Sequence, residues 1–223
     1  NHDRLLAEQG ESVQGDVEQF SCHLVAGENI LVDFAAQCLL TTKHQVLANK
    51  HLTQCSVSAE SVLVGKADKP MGKIIGGRYY LNEYLAAGYI GNKSHIHVNI
   101  SLNRSYDLFL KREHELWARI EKLEQKVDSL KQMFSRLVTP RDKIKAEKRL
   151  AIATTKMEKY LAYRRKLMAK RQEFMERVNI RASRNIFPNV YIDLAGQSER
   201  VTERKSATLA HLVDYQLMLE PVR

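Results

Sequence analysis

The chain has 223 residues, 44% hydrophobic and 27% charged, with a formal net charge of +9, which is enough apolar material for one large domain or two small ones. No run of 18 apolar residues occurs, so no membrane-spanning helix is expected, and no charged segment precedes an apolar one in the manner of a signal peptide. Three Cys, an odd number without a CxxC pair, fit a reduced cytoplasmic protein better than a disulfide scaffold. The chain opens at Asn1 without a Met, as a piece of a longer protein would.

The first hundred residues carry a short repeat. Cys22, Cys38 and Cys55 are 16 and 17 residues apart, and two of them follow Gln, in AAQC and LTQC. The aliphatic triplets Ile30-Leu31-Val32, Val46-Leu47-Ala48 and Val62-Leu63-Val64 recur every 16 residues. A unit this short cannot bury its own core and needs stacked neighbours. Stretches such as QCSVSAES and SHIHVNI alternate with the two-residue period of strands. Gly27, Asn49, Gly65, Gly76, Gly77, Gly88, Gly91 and Asn92 supply residues suited to corners. The spacing predicts a right-handed parallel β-helix over 1–102, with the three Cys in one inward ladder as small apolar residues. His95 and His97 would face one way on a strand, but two His make a weak metal signal. We expect no metal site and no cofactor.

Residues 103–181 change period. Tyr106, Phe109, Leu116, Ile120, Leu123, Val127, Leu130, Phe134 and Leu137 form a heptad seam. Val138-Thr139-Pro140 then ends one helix and starts another: Thr suits the N-cap, Pro the first turn, and Asp142 the positive helix start. The second helix carries Leu150, Ala153, Met157, Tyr160, Leu161, Leu167, Met168, Phe174, Met175 and Val178, with Arg164 and Arg171 interrupting its seam. Basic residues there cost packing unless they snorkel or pair. The expected unit is a long antiparallel coiled-coil hairpin of roughly 50–60 Å. Short strands over 182–223 then complete the β-helix, so the fold class is mainly β with α. The charge is localised as well. Residues 141–181 hold 14 Lys and Arg against 5 Asp and Glu, and the rest of the chain is balanced at 21 each. Such a face suits an acidic partner, an anionic surface or nucleic acid.

The segment GKIIGGRYYLNEYLAAGYIG (72–91), followed by SHIHVNI and a long coiled coil, resembles bacterial flagellar assembly protein A (FapA). The returning segment IFPNVYIDLAGQSERVTERKSATLAHLVDYQLML resembles that family's closing β-region, so the likeness runs from about Phe20 onward. Two places depart from the pattern, one a single residue and the other three in a row. Asn189 replaces a Gly, and Asn is the next best residue for a left-handed backbone. Tyr79, Tyr80 and Leu81 replace small residues after the Gly pair, which predicts a locally different outer face. The resemblance implies a cytoplasmic β-helical protein without catalytic residues, acting in flagellar assembly or its regulation.

The reading that combines these signals is a non-catalytic scaffold, recruited to the flagellated pole. Its hairpin docks a small acidic cytoplasmic regulatory protein or a flagellar assembly or placement factor. The candidate contacts are Arg164, Arg165, Lys166, Lys170 and Arg171, with Tyr160, Tyr163 and Met168 as anchors. Stacked coils also favour a homo-oligomer. Nucleic-acid or anionic membrane-surface binding through the second helix is the alternative, though no nucleic-acid module is recognisable. An enzyme ranks low. Val46, Leu52 and Ser58 break the six-residue rhythm of β-helical acyltransferases, and GKIIGG lacks the Lys-Ser/Thr ending of a phosphate loop. No small-molecule substrate is expected.

Overall fold

The computed structural model describes residues 20–68, 70–136 and 138–222. Leu137, one of the seam positions named above, lies outside them. Two compact units result: one is Tyr106–Phe174, and the other comprises the flanking chain on both sides.

The strands are β1 (Cys22–Ala26), β2 (Ile30–Ala36), β3 (Cys38–Thr42), β4 (Gln45–Val64), β5 (Lys73–Ile90), β6 (Val98–Leu102), β7 (Asn179–Ile186), β8 (Val190–Leu194), β9 (Gln197–Val201), β10 (Thr208–Val213) and β11 (Gln216–Pro221). The repeat seen in the sequence is the pairing register. Cys22 lies opposite Cys38, and Ile30-Leu31-Val32 opposite Val46-Leu47-Ala48, all in parallel. One ladder runs from β1 through β3, the middle of β4, β5 and β6 to β8. A second joins the start of β2, parts of β4 and β5, and the start of β7. A third joins the end of β2 to residues 51–53 of β4 and these to residues 73–75 at the start of β5, while the end of β5 pairs with the end of β7.

In-register stacking builds columns of like side chains. Leu24, Leu40, Val57, Tyr79, Ile100 and Ile192 follow one another up the first ladder, and all but Leu24 are buried. Tyr79 therefore points into the core rather than altering an outer face. Its hydroxyl lies 3.4 Å from the Gly76 carbonyl oxygen, to which it donates. In the next column Cys55 pairs with Gly77. A Cβ on Gly77 would stand 2.1 Å from the Cys55 carbonyl oxygen, and its φ is +102°.

Corners use left-handed backbone, and not only at Gly. Gln37 and Gln54, the residues before two of the Cys, have φ of 51° and 50°, and Asn189 has 68°. Asn189 thus keeps the turn that Gly would make. SHIHVNI is only partly a strand: β6 begins at Val98, and His95 sits at φ 54° with its carbonyl accepting from Asn189 Nδ2 at 2.8 Å. His95 and His97 therefore precede the strand on which alternation had placed them.

The closing segment reverses direction. β9 runs antiparallel to β8, β10 to β7 and β11 to β10. Its two tight turns, Ala195-Gly196 and Asp214-Tyr215, have positive φ at both central residues, as the type I′ form of a two-residue antiparallel turn requires. The returning segment thus adds one more parallel layer, β7 on β5 and β8 on β6, before β9, β10 and β11 reverse direction.

The helices are α1 (Arg104–Arg136) and α2 (Pro140–Arg177). Thr139 starts α2, its carbonyl accepting from the amides of Asp142 and Lys143 at 3.1 and 3.2 Å. The exit into α1 is pinned within the β-unit. Asn103 Nδ2 donates to Asp193 Oδ2 at 2.6 Å, and Ser105 Oγ donates to Asn82 Oδ1 at 3.1 Å.

Gly77→Ala is expected to cost ~4 kcal/mol or more, because backbone rather than a movable side chain occupies the space. Gly27→Ala, with nothing within 4 Å of the added Cβ, is the control and stays near wild type in urea denaturation.

Candidate functional site

The seam residues of α1 sort by burial as a heptad demands. Leu116, Ile120, Val127 and Leu130 are buried, while Tyr106, Phe109, Leu123 and Phe134 are half-buried. On α2, Ala153, Leu167 and Phe174 are buried. Contacts between the helices follow a reversed order. Phe109 meets Phe174 with ring centroids 5.8 Å apart, and Val127 and Leu130 cluster with Ala153 and Leu150.

Between these apolar contacts sits a charged one. Arg171 Nη1 donates to Glu113 Oε2 at 2.6 Å, and Arg164 Nη2 lies 3.6 Å from Glu113 Oε1. The Arg164 guanidinium also stacks over the Trp117 ring, 4.2 Å from its centroid. The three charged side chains are 17–26% exposed, so the pairing is shielded from water. Arg164 Nε is buried without a hydrogen-bond partner among the described residues, so stacking on Trp117 is the compensation it has.

The eight candidate contacts therefore divide. Arg164 and Arg171 hold α2 to α1. Tyr160 is half-buried, with the Lys156 ammonium 5.8 Å from its ring centroid. Arg165, Lys166, Lys170, Tyr163 and Met168 are exposed. At 100° per residue, Tyr163, Lys166 and Lys170 share one side of the helix, whereas Arg165 and Met168 lie elsewhere on its circumference. Glu113 and Trp117 were not foreseen. The signal was present: Glu113 fills the seam step between Phe109 and Leu116, opposite two seam Arg.

Among the described residues three further groups are shifted by burial. Burial pushes the Cys38 and Cys55 thiols above their ordinary range, which keeps them neutral and poorly nucleophilic. Burial likewise holds the Tyr79 phenol well above its usual value. No group of three His, Cys, Asp or Glu among the described residues is placed to hold a metal ion. An open groove of about 780 Å³ lies over Asn179, Arg181, Leu209, His211 and Glu220. The His211 Nε2 to Glu220 Oε2 contact of 3.3 Å falls within it, but no Ser, Thr or Cys lines it as a nucleophile. No described helix is long and apolar enough to cross a membrane.

In-register coils closed by reversed strands and interrupted by two long helices define a β-solenoid with a helical insertion. The chain belongs to the flagellar assembly protein A family: the model of the FapA beta solenoid domain matches residues 7–217. Membership assigns it a role related to flagellar assembly. No curated protein and no solved structure matches the chain.

Two outcomes follow from these sites. Glu113→Ala leaves two partly buried Arg without their carboxylate and should destabilise the helical unit by about 2 kcal/mol, read as a lower midpoint in the 222 nm melt. The raised Cys and Tyr pKa values fix the sign of an alkaline effect. Above about pH 9 the unfolded chain ionises these groups while the folded chain resists, so stability falls as pH rises. Replacing Cys38 and Cys55 with Ala should flatten that fall in urea titrations between pH 8 and 10.5, whatever its effect at pH 7.

Proposed function

We propose that this chain is a non-catalytic cytoplasmic scaffold of flagellar assembly or its regulation. On this reading the solenoid is a right-handed parallel β-helix, and α1 and α2 form an antiparallel coiled-coil hairpin inserted into one of its coils. The hairpin docks an acidic protein, either a small regulator or a placement factor that recruits the scaffold to the flagellated pole. The observation that carries the proposal is the division of charge on α2. Glu113 engages Arg164 and Arg171, while Arg165, Lys166 and Lys170 remain exposed and pair with no carboxylate among the described residues.

Exposed cations steer an oppositely charged partner and raise its association rate. Tyr163 and Met168, 52% and 38% exposed, supply apolar area beside them. Arg164 and Arg171 then act as positioning residues that hold the helix presenting the others.

Charge reversal at Arg165, Lys166 and Lys170 together, each to Glu in the full chain, tests this. Helix content should stay unchanged, capture of the acidic partner from nuclease-treated lysate should fall at least tenfold, and flagellar number should change in cells carrying only the variant. Capture that disappears with nuclease treatment alone, or flagella that stay normal with capture intact, would sink the proposal.

A further inference from the structure

Turning α2 at 3.6 residues per turn brings nine residues within about 40° of one line along its surface. They are Arg141, Lys145, Lys148, Ile152, Lys156, Lys159, Tyr163, Lys166 and Lys170, and all nine are exposed. No Asp or Glu falls among them; Asp142 and Glu173 lie at the flanks, and Glu147 and Glu158 lie well round the helix. None of the cations on the line pairs with a carboxylate among the described residues. The line runs roughly 44 Å, at 1.5 Å per residue. It sits about 110° round the helix from the side that Ala153, Arg164 and Arg171 turn toward α1.

Its two apolar members are Ile152, 69% exposed, and Tyr163, 52% exposed. They stand singly, eleven residues or roughly 16 Å apart, with Lys156 and Lys159 between them. This pattern discriminates among anionic partners. A helix lying in a membrane surface buries a continuous apolar face and keeps its Lys and Arg at the borders. Here the cations hold the centre. Nucleic acid is bound through cations to phosphates, with aromatic rings for bases, and gives Ile152 no role. A second helix alongside would use every member. Its Asp and Glu would meet the cations, and its apolar side chains would pack around Ile152 and Tyr163.

We infer that this line is the docking track for an acidic α-helix of the partner protein. The inference rests on the docking reading above and deepens it. Recognition extends over most of α2, from Arg141 to Lys170, rather than concentrating at 164–171.

The test uses the full chain with a photo-crosslinking amino acid in place of Arg165, off the line, or at one of two positions on it, Ile152 and Tyr163, one at a time, in flagellated cells lacking their own copy. The two positions should label a single acidic segment of one protein at sites about eleven residues apart, the spacing of a helix lying alongside. Adding Lys148→Glu, Lys156→Glu and Lys159→Glu should cut that labelling at least tenfold with helix content unchanged. Labels about five residues apart would mean an extended strand and overturn the inference, as would labelling of lipid, nucleic acid or a second copy of this chain. Protein labelled from Arg165 but from neither Ile152 nor Tyr163 would leave docking standing and remove the track. Protein labelled from none of the three positions would remove both.

Discussion

Register is the constraint on which the rest of the solenoid depends. Parallel coils hydrogen-bond residue to residue, so whatever stands at one position is stacked on its equivalent above and below. Spacing between paired residues nevertheless changes: 16 from Ile30 to Val46, 17 from Phe34 to His51 and 22 from His51 to Lys73. Extra residues are shed where they break no ladder, at Asn49-Lys50 and in the turn that starts at Gly65. Asn49 Nδ2 bonds Asp33 Oδ1 at 2.7 Å across the first of these corners. The columns thus stay aligned although the coils differ in length.

The same constraint explains how a solenoid tolerates more than seventy residues of helix. β6 and the start of β7 pair with consecutive stretches of β5. The coil beneath therefore fixes both ends of the insertion, whatever lies between them. A segment whose chain turns back on itself satisfies such ends at little entropic cost, since closing a longer loop costs only slowly more. Asn103 makes the junction specific. Its side chain bonds Asp193 and accepts from the Gly196 amide at 3.1 Å, tying the exit to the β8–β9 turn.

Much of this was legible in the sequence because register writes itself as period. The Cys22 to Cys38 spacing and the first two aliphatic triplets are ladder pairs themselves, and the buried residues of α1, Leu116, Ile120, Val127 and Leu130, all stand on the heptad seam. Three features were not legible. Strand direction leaves no periodic trace, since an alternating pattern serves parallel and antiparallel pairing alike, so the reversal at β9–β11 was hidden. Gln37 and Gln54 adopt backbone that Gly or Asn would advertise, and only their shared place before a Cys hinted at a corner. His95 and His97 alternate like strand residues, but Asn189 Nδ2 holds the His95 carbonyl and β6 starts later. On the candidate face, the sequence showed the quantity of charge but not its direction. Which Arg turned inward depended on Glu113, a residue on the other helix.

That carboxylate also bears on specificity. A hydrophobic residue at position 113 facing two aliphatic neighbours would bury more apolar surface than an ion pair, and partly buried ion pairs are seldom the most stabilising choice. They are selective, however. Glu113 satisfies Arg171 and Arg164 together at one height of α2 along α1; the two Arg are seven residues apart, so a slip by a heptad leaves one of them at Glu113 and carries the other toward Tyr106 or Ile120. An apolar seam alone slides more cheaply, since one Leu or Ile resembles the next. A slip by a heptad moves α2 about 10 Å while turning it by only about 20°, so height decides where along α1 each outward Lys and Arg stands. The half-buried carboxylate therefore helps set where along α1 the outward charge of α2 stands, although it contributes none of that charge itself.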